Sequence, residues 1–381
     1  MYAYLEKKHE MVRKLVRQFA ETELTSEILD KIEETHVYPE EILQKMADCG
    51  FFGVKVPRAL GGQGADVRSY VVMGEEIARV SAVSCIWALT PNSLAGGPLL
   101  LSGTDEQKER YLRPILTGEK KVCFALTEPG AGSDAGSMVT TAVKDGGHYV
   151  LNGRKCFITM APLADYAVVY AKTDKTKGTR GISAFIVDMT LPGVSTGKPE
   201  NKMGVVGCAT SDILLDDVRV HKSDLLGEEG KGFSNAMATL DVGRMGCAAM
   251  AVGVAQACLE EAIQYSKERR QFGHRLCDNQ AIAFMLADMA VKVETGRLLV
   301  YQAAWLKDQG SKEATMAASM AKYHATEMCN EVAAKALQIH GGYGFMKEYK
   351  IERMYRDCRV FTIFEGTSQV QQMVISRALI K

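Results

Sequence analysis

The sequence predicts a mainly α-helical fold with a β domain in the middle of the chain. In the first third of the chain, apolar residues recur at helical spacing, as at Ile42, Met46 and Cys49. Between about residues 121 and 226 they form short β-branched or aromatic runs such as ISAFIVDM and DILLDDVRV. After Gly232 the helical period returns. Because strands and helices do not alternate, this order excludes a doubly wound sheet and a TIM barrel.

We divide the chain into an N-terminal α-helical domain (1–119), a middle β domain (120–227) and a C-terminal α-helical bundle domain (228–381). Pro39 and Pro57 are expected to break the helices of the first domain. Asn152-Gly153 is predicted to be a hairpin turn of the second. Long helices rich in small residues are expected in the third. With no repeat or low-complexity linker in the sequence, the three parts should dock into one body.

Composition and charge favour a globular protein with a small or neutral ligand. The 381 residues carry 46 Lys and Arg against 46 Asp and Glu, which gives a net charge of zero. Proteins that bind nucleic acids or anionic membranes normally carry an excess of Lys and Arg, so neither partner is expected. Hydrophobic residues make up 47% of the chain, which excludes a disordered or fibrous protein.

Cysteine and histidine spacing indicates neither a metal site nor a disulfide framework. The 10 cysteines show no CxxC or CxxH spacing, and buried thiols in a reducing compartment explain them best. The 7 histidines are scattered, without a pair at helical or strand spacing, so no metal ligands are assigned. The start MYAYLEKKHE has no apolar signal-type stretch. An uncharged run at residues 80–104 contains Pro91 and Pro98 and is interpreted as a helix followed by a loop, not as a membrane span.

A glycine-rich stretch begins at Thr127 and reads TEPGAGSDAG. Its glycines follow GxGxxxG, and the residues after it have strand character, so it is not a Rossmann loop. Bare backbone N–H groups and a hydroxyl could approach a flavin or a phosphate there. An ordinary loop of a β domain remains the alternative.

Glu365 is the most unusual acidic residue of the chain. It lies in the apolar stretch VFTIFEG and directly precedes Gly366. Burial would raise its pKa and make its carboxylate a stronger base, which suits proton abstraction next to a carbonyl. The alternative is a carboxylate at a helix start that is stabilised by exposed amides.

Two further stretches allow a structural and a functional interpretation. RRQFG, from Arg269 to Gly273, is expected to end a helix with Gly273 as its cap, or to direct an Arg at a phosphate. QIHGGYG, from Gln338, is expected to stop a helix, or to admit a bulky cofactor through its glycines.

Together, the order and spacing of these stretches resemble the acyl-CoA dehydrogenase family along almost the whole chain. Short-chain, butyryl-type members are the most similar. The matching pieces are PRALGGQGAD at 57, CFALTEPGAGSDAGS at 123, LNGRKCFIT at 151, LGEEGKGF at 226, LDVGRMG at 240, ERRQFG at 268, QIHGGYGF at 338 and YRDCRVFTIFEGTSQVQ at 355.

The resemblance implies one FAD per subunit, between the β domain and the C-terminal helices, in a homotetramer built as a dimer of dimers. The residues implied in FAD binding are Phe124, Leu126, Thr127, Ser133, Phe157, Thr159, Arg269, Gln280, Gln338, Gly342, Thr367 and Gln369. The residues implied in substrate binding are Ser133, Asp241, Arg244 and Gly366. Many members have Trp where this chain has Phe157, so the tuning of the flavin is expected to differ.

The resemblance also implies the reaction. Glu365 is expected to abstract the α-proton of a short-chain acyl-CoA while the β-hydride goes to flavin N5, giving a trans-2-enoyl-CoA. Some members supply the base from the helix that carries DVGR, but this chain has Gly243 there, so Glu365 is the candidate left. Electrons are expected to pass to electron-transferring flavoprotein, in a bacterial cytoplasm or, in a eukaryote, the mitochondrial matrix.

Alternatives on the same fold stay open at this point. They are an enoyl-CoA reductase, a dehydrogenase for branched or aryl acyl-CoA, and an acyl-CoA oxidase that uses O2. A non-enzymatic helical scaffold is the most distant alternative. Acyl length is not readable from spacing, because the depth of a pocket depends on side chains from several elements.

Overall fold

The N-terminal part of the computed structural model, which describes residues 2–380, is helical as predicted. Its helices are α1 (Lys7–Glu23), α2 (Ser26–Thr35), α3 (Glu40–Asp48), α4 (Val67–Ala78), α5 (Ala82–Asn92), α6 (Gly96–Ser102), α7 (Asp105–Gln107) and α8 (Arg113–Leu116). Asp66 caps α4, accepting a bond from the N–H of Ser69 at 2.9 Å. Nearly every residue of α4 is buried, which makes it the central helix of this part.

One mixed eight-stranded sheet forms the middle of the chain, in the order β6-β7-β3-β2-β4-β5-β8 with β1 pairing to β4. The strands are β1 (Val122–Ala125), β2 (Thr141–Asp145), β3 (His148–Thr159), β4 (Tyr166–Lys172), β5 (Ile182–Asp188), β6 (Val194–Thr196), β7 (Thr210–His221) and β8 (Leu225–Leu226). Buried residues of this sheet form two apolar clusters, one of which packs against α6, α8 and the start of the long helix that follows.

Long helices make up most of the C-terminal part. They are α9 (Gly232–Glu268), α10 (Gln280–Asp308), α11 (Ala314–His340), α12 (Ile351–Cys358) and α13 (Ser368–Ile380), with a small hairpin of β9 (Arg270–Gln271) and β10 (His274–Arg275) between α9 and α10. Because small residues, Ala in both helices and also Gly in α9, line the buried faces of α9 and α11, these two helices pack closely against each other, and α9 also packs against α4. Among the described residues, α9 alone is long and apolar enough to cross a membrane, but 89% of its most apolar window is buried in the core.

The structure corrects three local predictions. Asn152-Gly153 is not a turn: it lies inside β3, where Gly153 accommodates the side chain of Thr140, and the chain reverses at Gly146-Gly147. The uncharged run at 80–104 forms two helices, α5 and α6, instead of a helix and a loop. Gly273 is not a helix cap, because α9 ends at Glu268 and Gly273 lies in the turn of the β9–β10 hairpin.

Candidate active site

Glu365 lies in a strained turn just before α13. Its φ is 54° and that of Gly366 is 91°, so two consecutive residues adopt the left-handed conformation. This conformation costs a non-glycine residue roughly 1–3 kcal/mol and persists only where the surroundings hold it. Here Lys322 of α11 donates to the carbonyl of Gly366 at 2.7 Å, and Gln371 of α13 donates to the same oxygen at 2.9 Å. The turn is therefore held by side chains from two helices.

The carboxyl group of Glu365 fills a space that a glycine leaves open. A Cβ on Gly243 would lie 2.3 Å from Oε2 of Glu365, closer than any real contact. Within residues 2–380, Oε2 is buried and has no hydrogen-bond partner. Since a buried polar atom without a partner costs free energy, the arrangement is that of a group kept ready for a ligand.

Burial raises the pKa of Glu365 to about 7, although the positive charges of Lys322 and Arg244 act in the opposite direction. Desolvation is the largest cause, because the carboxylate loses water, and its Oε2 atom gains no hydrogen bond from any of the described residues in return. A pKa near 7 makes both the acid and the base accessible at neutral pH. Such a group can give up or take up a proton at little cost.

Arg244 and Asp241 lie on the same helix as Gly243. Arg244 donates to Asp241 at 2.8 Å, and the hydroxyl of Thr315 on α11 donates to the other oxygen of Asp241 at 2.7 Å. The Nε atom of Arg244 is buried and has no partner within the described part of the chain. A second buried polar atom without a hydrogen-bond partner among the described residues thus lies close to Glu365.

Tyr70 of α4 adds a third polar atom. Its ring is fully buried, and its hydroxyl lies over Gly246, where a Cβ would be 2.3 Å from the oxygen. Burial raises the pKa of Tyr70 well above its usual value, and the negative charge of Glu365 adds to this effect. Across residues 2–380 the hydroxyl makes no hydrogen bond of normal geometry. The Glu365 carboxyl therefore lies over Gly243 and close enough to the Tyr70 hydroxyl, which packs on Gly246, to affect its pKa.

The glycine-rich stretch of the sequence is a loop that leaves β1 and lies against β3. Leu126 is buried, Phe124 and Thr127 are half-buried, and Ser133 is exposed. The backbone N–H of Cys156 donates to the carbonyl of Thr127 at 2.9 Å, which places this loop beside Phe157. The predicted residues of the two segments are thus neighbours.

Phe157 is conspicuous in this neighbourhood. It lies at an irregularity in the pairing of β3 with β7, has a φ of 55° and exposes 69% of its surface. An exposed aromatic ring on a strained backbone is typical of a site whose ligand supplies the missing contacts. Thr159, two residues further along β3, is half-buried.

A buried ion pair beneath the loop holds it in place. Lys155 and Glu128 are almost fully buried and lie 2.8 Å apart, and Lys155 also donates to the carbonyl of Leu126 at 3.2 Å. Glu128 accepts from the backbone N–H groups of Val139 and Thr140 at 2.6 and 3.0 Å. Burial lowers the pKa of Lys155 to about 8, while Glu128 opposes this shift. The loop is therefore hydrogen-bonded at its start, through Leu126, and at its end, through Val139 and Thr140, to the Lys155–Glu128 ion pair.

Replacing Lys155 by Met is expected to destabilise the protein by about 3–5 kcal/mol, because it leaves Glu128 buried without its cation. Thermal unfolding measures the effect. Lys144→Met, which removes an exposed lysine paired with Glu229, is the control and should cost no more than about 1 kcal/mol. Adding Glu128→Gln to Lys155→Met should restore part of the loss; an unchanged stability of Lys155→Met would contradict the role of this pair.

The remaining predicted residues lie further along the C-terminal helices. Arg269, just after α9, stacks on the ring of Tyr343 at 5.3 Å and so reaches the turn that follows Gln338, in which Gly342 is exposed. Gln280 is the exposed first residue of α10, while Thr367 and Gln369 flank the start of α13. Within residues 2–380, no hydrogen bond joins Arg269 or Gln280 to the turn at Glu365. The structure thus gathers the predicted residues into separate groups.

Several residues that shape the site were not predicted from the sequence. They are Tyr70, Glu128, Lys155, Lys322 and Gln371. A signal existed for Lys322, since it is a lone cation in the apolar, small-residue pattern ATMAASMAKYHA of a buried helix. Lys155 shows a similar signal in the strand run LNGRKCFIT. Nothing in the sequence pattern marks Tyr70 or Gln371.

Comparison with known proteins gives consistent results for the whole chain. Residues 6–119 match the N-terminal domain model of acyl-CoA dehydrogenase, residues 123–218 the middle domain model and residues 230–380 the C-terminal domain model. The chain is 66% identical, over 99% of its length and 100% of the relative, to the CarC subunit of the caffeyl-CoA reductase–Etf complex of Acetobacterium woodii. It is 57% identical, with the same coverage, to 3-(aryl)acrylate reductase of Clostridium sporogenes. The structure of butyryl-CoA dehydrogenase from Megasphaera elsdenii superimposes with a TM-score of 0.95, at 41% identity and full coverage of both chains.

Proposed function

The chain belongs to the acyl-CoA dehydrogenase family of FAD-dependent oxidoreductases acting on CH–CH bonds, and from this premise we propose that it interconverts a 3-arylacryloyl-CoA and the corresponding 3-arylpropionyl-CoA. The observation that carries the reaction type is the carboxyl of Glu365 above Gly243, whose Oε2 atom is buried and has no hydrogen-bond partner within residues 2–380. Support for the aryl substrate comes from the caffeyl-CoA and arylacrylate reductases, which are 66% and 57% identical to the chain.

Glu365 is proposed to move the proton at the α-carbon of the thioester. As a carboxylate it removes this proton when the saturated acyl-CoA is oxidised, and as an acid it returns the proton when the enoyl-CoA is reduced. Because burial brings its pKa to about 7, neither direction requires an unfavourable protonation state at neutral pH. The acyl chain would lie between Glu365 and the loop that carries Phe157.

A polarised thioester carbonyl is needed, since an α C–H is otherwise a very weak acid. Across the described residues the backbone N–H of Glu365 makes no hydrogen bond, and we propose that it donates to this carbonyl. Arg244, whose Nε has no hydrogen-bond partner in the described part of the chain, is proposed to contact the CoA part of the substrate, together with Asp241, Ser133 and Gly366. A preorganised donor of this kind is worth roughly 2.7–4 kcal/mol in other enzymes.

The residues present fit FAD. Phe157 offers an exposed ring, and a Cβ built on Gly130 or Gly132 meets nothing within 4 Å, so the loop leaves room for a large planar group. We propose that Phe124, Leu126, Thr127, Phe157 and Thr159 contact the flavin end. When bound, FAD supplies the two-electron exchange with the β-carbon of the substrate. The groups that meet its phosphates and adenine are proposed to be Ser133, Arg269, Gln280, Gln338, Gly342, Thr367 and Gln369.

We further propose that electron-transferring flavoprotein exchanges electrons with this chain, as the name of the Acetobacterium complex says of that relative. A homotetramer in a bacterial cytoplasm is the proposed form. Phe272, which exposes 95% of its surface at the hairpin between α9 and α10, would be covered by another copy in such an assembly.

A short-chain acyl-CoA is the second candidate substrate, favoured by the likeness to butyryl-CoA dehydrogenase over both full chains. The two candidates differ in the volume that the pocket must hold behind the β-carbon. An aryl ring buries far more apolar surface than a methyl group does, so a pocket built for it discriminates by well over the factor of about 10 expected for one methylene.

The deciding experiment is a kcat/KM series on the FAD-loaded enzyme. Oxidation is measured with 3-phenylpropionyl-CoA and butyryl-CoA, and reduction with cinnamoyl-CoA and crotonyl-CoA, using an artificial electron carrier so that no partner protein is needed. We expect the aryl substrates to be preferred by roughly 10²-fold or more. A preference for butyryl-CoA and crotonyl-CoA would assign the short-chain function instead.

A further inference from the structure

Lys322 is a buried cation that the reaction as described does not use. It lies on the small-residue face of α11 with no exposed surface, and its ammonium group donates to the carbonyl of Gly366 at 2.7 Å. Burial lowers its pKa, while Cys247 and Glu365 act to raise it. A lysine is rarely buried without a specific partner, because its desolvation is costly. A structural or functional gain must offset that cost here.

The carbonyl that Lys322 contacts belongs to the residue after the proposed base. Gln371, also fully buried, donates to the same oxygen at 2.9 Å and to the carbonyl of Glu365 at 3.3 Å. The two peptide groups that follow the Cα of Glu365 are therefore fixed by side chains of α11 and α13. Ser368 fastens the start of α13 to Glu327 of α11 at 2.5 Å, so the two helices cannot separate easily.

We propose that Lys322 is a positioning residue for the base: its ammonium group holds the Gly366 carbonyl, aims the Glu365 carboxyl over Gly243 and supplies a fixed positive charge beside it. This inference rests on the proposed role of Glu365 in proton transfer. It assigns to Lys322 both a geometric and an electrostatic effect, which different substitutions separate.

The electrostatic effect has a definite sign. Burial disfavours the carboxylate of Glu365, and the two cations that face it, Lys322 and Arg244, favour it. Tyr70 and Cys247 also face this carboxyl, but burial keeps both of them neutral. Glu327 is the other acidic group near Lys322. Removing the cation of Lys322 therefore raises the pKa of Glu365 further, and a larger fraction of the base is protonated at pH 7.

The test compares Lys322→Met, Lys322→Gln and Lys322→Arg as FAD-loaded enzymes. The pH dependence of flavin bleaching by 3-phenylpropionyl-CoA, or by butyryl-CoA if that reduces the wild type better, gives the pKa of the base. We expect the midpoint to move upward by about one pH unit or more in the Met and Gln variants, and to stay close to the wild-type value in Lys322→Arg. Lys322→Gln keeps a hydrogen-bond donor near Gly366 and so isolates the loss of charge.

A second readout does not depend on turnover. The carboxyl stretch of Glu365 is titrated by infrared difference spectroscopy, with Glu365→Gln subtracted to assign the band. Lys55→Met is the matched control: burial lowers the pKa of Lys55 to about 8, Lys307 is the other charge that acts on it, and its loss should leave the midpoint of Glu365 unchanged.

An unchanged midpoint in a folded Lys322→Met or Lys322→Gln enzyme overturns the inference, because a merely structural lysine would lower stability and leave the titration alone. If the Met variant does not fold, the Gln and Arg variants decide. Failure of the proposed function looks different: in that case Glu365→Gln itself would retain turnover. The two outcomes are therefore distinguishable in one series of proteins.

Discussion

Replacing Glu365 by Gln is expected to lower turnover by roughly 10²–10⁴-fold, the usual contribution of a positioned acid or base. The amide matches the carboxyl in size, so it still fills the space above Gly243, but it cannot exchange the α-proton. FAD should remain bound, because Glu365 is not among its proposed contacts. Stopped-flow flavin reduction and the absorbance spectrum of the purified variant measure both effects.

The pH dependence gives an independent check on this residue. Since the folded-state pKa of Glu365 is raised to about 7, oxidation of the acyl-CoA should increase as pH rises through that value, and reduction of the enoyl-CoA should decrease. The same raised pKa means that ionisation of Glu365 opposes folding above its usual pKa, so Glu365→Gln should be more stable than the wild type at alkaline pH. Glu106→Gln, at an exposed position of α7, is the control; a Glu365→Gln enzyme with near-normal turnover would remove Glu365 as the base.

Gly243→Ala is expected to cost at least about 10² in rate while leaving the protein folded. A Cβ at this position would lie 2.3 Å from Oε2 and 3.1 Å from the carboxyl carbon of Glu365, and 3.3 Å from Leu94. The carboxyl is the end of a flexible side chain, so it moves aside before the helix does. A displacement of about 1 Å in a catalytic group can reduce the rate 10²-fold.

Stability should not follow activity in this variant. Ala is favoured over Gly inside a helix by about 1 kcal/mol, which offsets part of the crowding. Thermal unfolding should therefore change little, while flavin reduction slows and its pH midpoint shifts. Gly147→Ala is the matched control, since a Cβ there meets nothing within 4 Å. Normal turnover of Gly243→Ala would show that the position of the Glu365 carboxyl is not critical.

The sequence pattern marks Glu365, the residue proposed to act as the base, but not the side chains that hold its turn in place. Glu365 could be predicted because an acidic residue in an apolar stretch before a glycine is unusual, and the three-part order of helix, strand and helix follows from hydrophobic periodicity. Lys322 and Gln371 lie 43 residues upstream and six downstream of Glu365 in the sequence, and only the packing of α11 against α13 brings them together. Contacts of this kind, made by the packing of separate helices, leave no signature in the local sequence.

Two of the three wrong predictions have a common physical reason. Asn-Gly is a strong turn signal, yet at Asn152-Gly153 the close approach of Thr140 requires a glycine within a continuous strand. Gly273 is a similar case: its φ is positive, which suits the helix cap predicted for RRQFG as well as the hairpin turn in which it lies. A glycine in the sequence indicates that the backbone needs an unusual conformation or a close approach at that position. Whether that position is a turn, a helix cap or part of a strand depends on tertiary structure.

The length of α9 determines how far Arg269 lies from Glu365 within one chain. Arg269 follows Gly243 by 26 residues, so at 1.5 Å per residue the two lie about 39 Å apart along the helix axis. A group bound beside Glu365, which lies over Gly243, is therefore a whole helix length away from Arg269 of the same chain.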